Sequence, residues 1–147
     1  TQTLFFSGAG YLDGIRDGLS FVTPVAGTVT CGYGWRIHPL SGKDSFHSGV
    51  DIGAAEGTPV RAYRTGVVDQ TGYSETYGNF ILLTHGTIQS FYAHLSRVDV
   101  NKGETVRCGQ TLGAVGSTGV STGPHLHFEI RKDGESTDPL RYITITP

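Results

Sequence analysis

Short apolar stretches, four to eight residues long and broken by glycine-containing turns, run through most of the chain. Segments 22–25, 27–30, 59–62, 66–69, 79–85, 88–94, 104–107, 111–115, 125–131 and 142–145 read as β-strands. The pair 59–62 and 66–69 reads as two strands around a turn at Arg64-Thr65-Gly66. His85-Gly86-Thr87 joins the next two into a hairpin. Strands recurring every 8–12 residues or so predict an all-β sandwich or barrel. No helical period alternates with them, which excludes a doubly wound α/β fold. The first twenty residues differ. Phe5, Phe6, Tyr11, Leu12, Ile15 and Leu19 approach a helical spacing, which predicts a short helix over 10–19, weakened by Gly14 and Gly18. The expected organisation is an arm or linker over 1–20 and one domain over 21–147. The aromatic pair Phe5-Phe6 makes the arm a candidate to lie across a groove.

Composition sharpens this picture. Glycine supplies 22 of 147 residues, about twice the usual share of roughly 7%, with no collagen period, so tight turns dominate. The net charge of −2, with 16% of residues charged, argues against a nucleic-acid binder and a polybasic membrane-surface protein. No apolar run approaches a membrane span in this segment. The length suffices for one domain with its own core. The chain starts at Thr1 and holds no Met, as expected of a piece of a larger polypeptide. Cys31 and Cys108 form no CxxC motif and read as small packed residues, with a disulfide as the lesser reading.

The histidines carry the chemistry. His47-Ser-Gly-Val-Asp51 sets an imidazole and a carboxylate four residues apart. In His125-Leu126-His127 the strand period projects both imidazoles to one face and Leu126 to the other. In Tyr92-Ala-His94-Leu95 the same period puts Tyr92 and His94 together, opposite Phe91, Ala93 and Leu95. A zinc hydrolase needs three His, Asp or Glu ligands and one open position. His47, Asp51 and one of His125 and His127 supply that set. The remaining imidazoles are then left for proton transfer. His38 and His85 read as loop anchors.

These motifs stand among others in a recognisable order. They are Gly32-Tyr-Gly-Trp-Arg-Ile-His-Pro39, His47-Ser-Gly-Val-Asp-Ile52, Gly57-Thr-Pro-Val60, Gly66-Val-Val68, Tyr77-Gly-Asn79, His85-Gly86, Tyr92-Ala-His-Leu95 and Gly116-Ser-Thr-Gly-Val-Ser-Thr-Gly-Pro-His-Leu-His-Phe-Glu129. From about Val22 to Tyr142 the chain resembles the catalytic domain of the lysostaphin/LytM-type zinc metallo-endopeptidases, which cleave bacterial peptidoglycan. The resemblance implies a compact antiparallel β-sheet domain with an open groove, related to the barrel-sandwich hybrid of biotin carrier domains. It implies one Zn²⁺ per chain on His47, Asp51 and His127. It gives catalytic roles to His94 and His125, with His125 as base and His94 as stabiliser of the oxyanion, and makes Arg36 a candidate substrate holder.

The implied substrates are peptidoglycan peptides. An extracytoplasmic place of action follows from them, whether secreted, wall-associated, periplasmic or on a phage particle. Gly116, Gly119 and Gly123 are expected to let the backbone pass close to the metal. The alternative function is a catalytically silent module of the same fold that binds cell wall or a partner. A biotinyl- or lipoyl-type carrier would need an exposed lysine at a hairpin tip, and Lys43, Lys102 and Lys132 offer none.

Overall fold

A computed structural model describes residues 2–3, 13–16, 19–37, 42 and 44–143. The strands are β1 (Gln2–Thr3), β2 (Asp13–Arg16), β3 (Leu19–Val22), β4 (Thr28–Cys31), β5 (Gly34–Ile37), β6 (Asp44–His47), β7 (Val50–Gly53) and β8 (Pro59–Arg61). They continue with β9 (Gly66–Ser74), β10 (Gly78–His85), β11 (Ile88–Val98), β12 (Thr105–Val106), β13 (Thr111–Val115), β14 (His125–Lys132) and β15 (Glu135–Thr137). A single helical turn, α1 (Leu140–Ile143), follows. The antiparallel β architecture is the one expected. The main sheet runs β1-β4-β7-β14-β11-β10-β9-β12, with β13 bridging β11 and β8 and β15 on β14. The pairs β2–β3 and β5–β6 are separate hairpins.

Three expectations are corrected. Asp13–Arg16, expected in a helix, is a strand paired with Leu19–Val22. Gly14 disfavours helix there, and extended pairing satisfies its backbone instead. Leu19, the last residue of the expected helix, is in β3, and residues 10–12 and 17–18 lie outside the described residues. Tyr142 and Ile143, expected in a strand, fall in α1, because Pro139 and the Asp138 carboxylate, which accepts from Leu140 N–H at 3.0 Å, start a helical turn. Strands β8 and β9 do not pair around Thr65. Strand β8 joins β13, while β9 joins β10 and β12.

The core sits on one face of the sheet. Along β7, Val50 and Ile52 are fully buried while Asp51 is half-buried and points the other way. Leu126, Phe128 and Ile130 of β14 join them, with Tyr63, Tyr92 and Leu112. The opposite face of β14 carries His125, His127 and Glu129. A smaller apolar cluster of Leu82, Phe91 and Ala93, with Tyr77 and Phe80 packed on it, lies beside that polar face. The strand period therefore separates a dry core from a polar wall with a single residue's step.

Candidate active site

Adjacent strands bring distant residues into one row. Register places Asp51 opposite His127 across β7–β14 and opposite Cys31 across β4–β7. His47 ends β6, opposite Gly34 of β5. The Asp51 carboxylate is the hub. Its Oδ1 lies 3.0 Å from His127 Nδ1, 3.4 Å from His47 Nε2 and 3.7 Å from His125 Nε2. These groups line a cleft of about 390 Å³, together with Phe46, Tyr77, His94 and residues 120–122. A larger hollow of about 540 Å³ between Ser20, Arg64 and Thr84 has no acidic residue among the described residues that line it and lies away from this cluster.

Each imidazole is held by its outer nitrogen. The His47 Nδ1–H donates to Gly32 O at 2.8 Å, His94 Nδ1–H to Thr118 O at 2.7 Å, and His125 Nδ1–H to Gly123 O at 2.8 Å. A carbonyl oxygen only accepts, so these bonds assign the tautomer, and the neutral rings carry a lone pair on Nε2. For His47 and His125 that nitrogen faces Asp51. His127 differs. Its Nδ1 faces Asp51, and its Nε2–H donates to Glu129 Oε2 at 2.8 Å. Glu129, 2% exposed, also accepts from Ser48 Oγ at 3.0 Å and from Arg131 Nη2 at 2.9 Å. Tyr77 stacks on the His127 ring with centroids 5.6 Å apart, and Phe91 meets it edge-on.

The electrostatics follow from this packing. Burial alone would depress the His127 pKa, but the Asp51 and Glu129 carboxylates on either side overcome it and hold it up to about 9. Burial pushes the Asp51 carboxyl up, yet its interactions with His127 and then His47 win and hold it well below the usual carboxylate range. Glu129 is likewise burdened by burial and held low by His127 and Arg131. Burial dominates at His94 and keeps its pKa down, against the Thr118 bond. Its resting form is the neutral acceptor.

The alternation expected on β11 fails at His94. Tyr92 is fully buried in the core, and Ala93 opposes His127. Strict alternation would send His94 into the core beside Tyr92. Instead His94 takes φ = 63°, a left-handed conformation rare for a residue with a Cβ. Strand β11 trades β14 for β13 at this residue, and its pairing with β10 shifts register here as well. The bulge turns the ring into the cleft, 4.8 Å from the His125 ring.

Glycines make the close approaches possible. A Cβ on Gly49 would meet Phe128 O at 2.4 Å and Glu129 Cγ at 2.8 Å, so only glycine lets the His47–Asp51 loop lie on β14. Gly119, at φ = +74°, has Gly78 N at 2.3 Å from such a Cβ. Its contact is thus with the β9–β10 turn, which sets Thr118 against His94. Gly123 has open space around it.

Arg36 stands on β5 opposite Ser45, and its side chain lies outside the described residues. His38 lies outside them too. His85 is tied to Thr65 O and Ser90 Oγ, away from the cleft. Two site residues escaped the sequence reading. Glu129 was legible, since 125, 127 and 129 share one face of a strand. Cys31 was not. Its thiol and the ligand atoms of His47 and Asp51 all lie within 4.8 Å of one another, a spacing compatible with one ion. Neither Cys31 nor Cys108 is in a disulfide.

An antiparallel β domain whose cleft gathers four imidazoles around one carboxylate carries the donor types of a metal-dependent hydrolase. The comparisons make the class specific. Residues 45–139 match Peptidase family M23. The chain belongs to this family of metallopeptidases. It is 42% identical over 116 residues to the DD-carboxypeptidase/endopeptidase Mpg of Neisseria meningitidis serogroup B, covering 78% of this chain and 27% of that protein. It is 37% identical over 119 residues to lysostaphin of Staphylococcus simulans, covering 76% and 24%. The solved catalytic domain of that lysostaphin superposes with a TM-score of 0.71 at 36% identity, covering 79% of this chain and 91% of the domain. A zinc-containing peptidase from Vibrio cholerae gives a TM-score of 0.78 at 28% identity, over 90% of this chain and 45% of that one. The chain spans about a quarter of the length of the curated relatives it matches.

Proposed function

We propose that this domain is a zinc-dependent endopeptidase that cleaves peptide cross-links or cross-bridges of bacterial peptidoglycan, acting outside the cytoplasm. The observation that carries this reading is the inward convergence of His47, His127 and Asp51 on one oxygen-centred point, beside two further anchored imidazoles. The name of a further relative, the peptidoglycan DD-endopeptidase ShyC of Vibrio cholerae, 42% identical over 105 residues, supports the substrate class. No helix among the described residues is long and apolar enough to cross a membrane.

The Asp51 separations suit a zinc ion. A tetrahedral ion with bonds of about 2.0–2.1 Å holds neighbouring ligand atoms about 3.3 Å apart. The 3.4 Å and 3.0 Å separations from Asp51 Oδ1 to His47 Nε2 and His127 Nδ1 match that edge, whereas among the described residues the set whose ligand atoms all lie within 4.8 Å of one another is Cys31, His47 and Asp51, without His127. His47, Asp51 and His127 would hold the ion, each of its imidazoles oriented by an acceptor on the far nitrogen. When bound, zinc supplies an acidified water at neutral pH and a Lewis acid for the scissile carbonyl.

The chain's own residues do the rest. The cleft between Phe46, Tyr77 and residues 120–122 receives an extended peptide. His94 and His125 share the proton traffic at its floor. Whichever ring is neutral accepts at Nε2, and whichever is protonated donates there to the carbonyl oxygen. The depressed pKa of His94 makes acceptor its resting role, so donating to an oxyanion requires it first to gain a proton. Arg36 is proposed as a contact for substrate beyond the cleft.

The test is a zinc-replete digest of several purified peptidoglycan types, with the His125→Ala variant in parallel, read by mass spectrometry of the released peptides. New peptide termini from the unaltered protein and none from the variant are expected. Full zinc occupancy with no new termini on any type would overturn the reading in favour of a binding module.

A further inference from the structure

The β5–β6 hairpin forms a sheet of its own, and its Phe46 lines the cleft. Register sets Trp35 directly opposite Phe46, and opposed residues share a face. The two-residue period adds Asp44 to that face, a diagonal neighbour of Trp35 at about 7–8 Å. Phe46 is 42% exposed and Trp35 74%, although large aromatic rings ordinarily bury most of their surface. Neighbouring rings hold both in place. Trp35 meets Phe46 edge-on with centroids 5.2 Å apart, and Phe46 meets Tyr33 in the same way at 5.2 Å. Tyr33 packs on the main core, and its hydroxyl donates to Ser136 O at 3.1 Å. Three rings thus run from the core, past the cleft wall, to solvent. An exposed apolar patch continuous with a cleft marks a binding surface.

We propose that Trp35, with Asp44 beside it, is a subsite for sugar rings of the peptidoglycan glycan strand, an inference that rests on the substrate class proposed above. The face of an aromatic ring is electron-rich. One face of a pyranose presents mainly C–H groups, whose hydrogens are electron-poor, and its rim presents hydroxyls. The open indole takes that face, and the exposed Asp44 carboxylate accepts from the rim. The same carboxylate repels the carboxylates of an acidic peptide. An aromatic ring beside an acceptor therefore favours a neutral sugar over a charged peptide stem. The order along the substrate follows from the ladder of rings. Phe46 touches what lies in the cleft, and Trp35 stands 5.2 Å further out. That step is between one and two residues of extended peptide, at about 3.3–3.6 Å each. A peptide that enters the cleft thus brings its attached sugar within reach of the indole.

Trp35 is the sole tryptophan of the chain, so tryptophan fluorescence reads this position alone. The whole zinc-loaded chain is titrated with chitotetraose, a peptide-free N-acetylglucosamine oligomer, and separately with a sugar-free acidic stem peptide. Chitotetraose is expected to shift the emission to the blue and to saturate, and the stem peptide to leave it unchanged. A second measurement compares cleavage of a cross-linked muropeptide bearing its sugars with cleavage of the same peptide stripped of them. Trp35→Ala is expected to lower kcat/KM on the sugar-bearing substrate roughly tenfold, mainly through KM. Its kcat/KM on the stripped peptide is expected to match that of the unaltered protein, and Trp35→Phe to recover part of the loss. No emission shift with chitotetraose, with kcat/KM unaffected by Trp35→Ala on both substrates, would overturn the proposal and leave the peptidase reading standing. A shift with the stem peptide alone would overturn it in favour of a peptide subsite. A chitotetraose shift without cleavage of either substrate would uphold the sugar subsite and overturn the peptidase reading.

Discussion

Replacing Glu129 by Gln removes one charge from a buried position and almost no volume. In the native site the Oε2 atom accepts from His127 Nε2 at 2.8 Å and Ser48 Oγ at 3.0 Å, while Oε1 accepts from Arg131 at 2.9 and 3.0 Å. Every neighbour of the carboxylate is thus a donor. Glutamine has one oxygen and one NH₂ group, so its amide must point a donor at a donor on one side. If the oxygen serves His127, the amide faces Arg131; if it serves Arg131, the amide faces His127. Arg131 is partly exposed and recovers hydration, whereas His127 does not. The first arrangement is therefore preferred, and it still weakens a charge-assisted bond to His127 to a neutral one.

Loss of such an outer partner costs roughly 10–100-fold in metal affinity, or about 1.4–2.7 kcal/mol. The metal-free fold loses a charge-assisted network bond and is expected to fall by about 1.5–3 kcal/mol. Zinc competition against a chromophoric chelator measures the first quantity, and urea unfolding of the metal-free protein the second. Zinc affinity within twofold or so of the unaltered protein, below the range an outer partner commands, would refute the argument that Glu129 orients His127.

Three further outcomes follow from the same geometry. In the metal-free protein the raised His127 pKa, from 6.5 to about 9, contributes stability that is full below 6.5 and lost as pH rises through 9. The 2.5-unit difference (9 − 6.5) sets a ceiling of about 3 kcal/mol. Asp51 and Glu129, with depressed pKa values, stay ionised throughout that window. Zinc displaces the His127 proton, so thermal melts should show stability falling with pH across this window without metal and no such fall with zinc; parallel curves would count against it. His94→Ala should lower kcat by roughly 10²–10⁴-fold while leaving zinc stoichiometry intact, as checked by elemental analysis of the same preparation. Gly49→Ala forces a methyl against Phe128 O and Glu129 Cγ; chemical unfolding should show a loss of about 1–3 kcal/mol, with weaker zinc binding than an exposed Gly86→Ala control shows.

The linear pattern determined a good deal of this protein. Strand and turn chemistry is local, so β10, β11, β13 and β14 were legible with the hairpin at Gly86. The two-residue period placed His125 and His127 on one face, and it would have placed Glu129 there too. The motifs His47–Asp51 and His125–His127, in their order, carried the family. The tertiary structure decided what depends on pairing between distant strands. Strand β8 finds β13 rather than β9, because pairing partners are chosen by the whole sheet. Two register slips, at Cys31 on β4 and at His94 on β11, set a thiol opposite Asp51 and turn an imidazole into the cleft. Alternation read along one strand assigns both to the wrong face. A bulge is a property of two strands, set by how their registers fail to match, and one strand's sequence does not contain it.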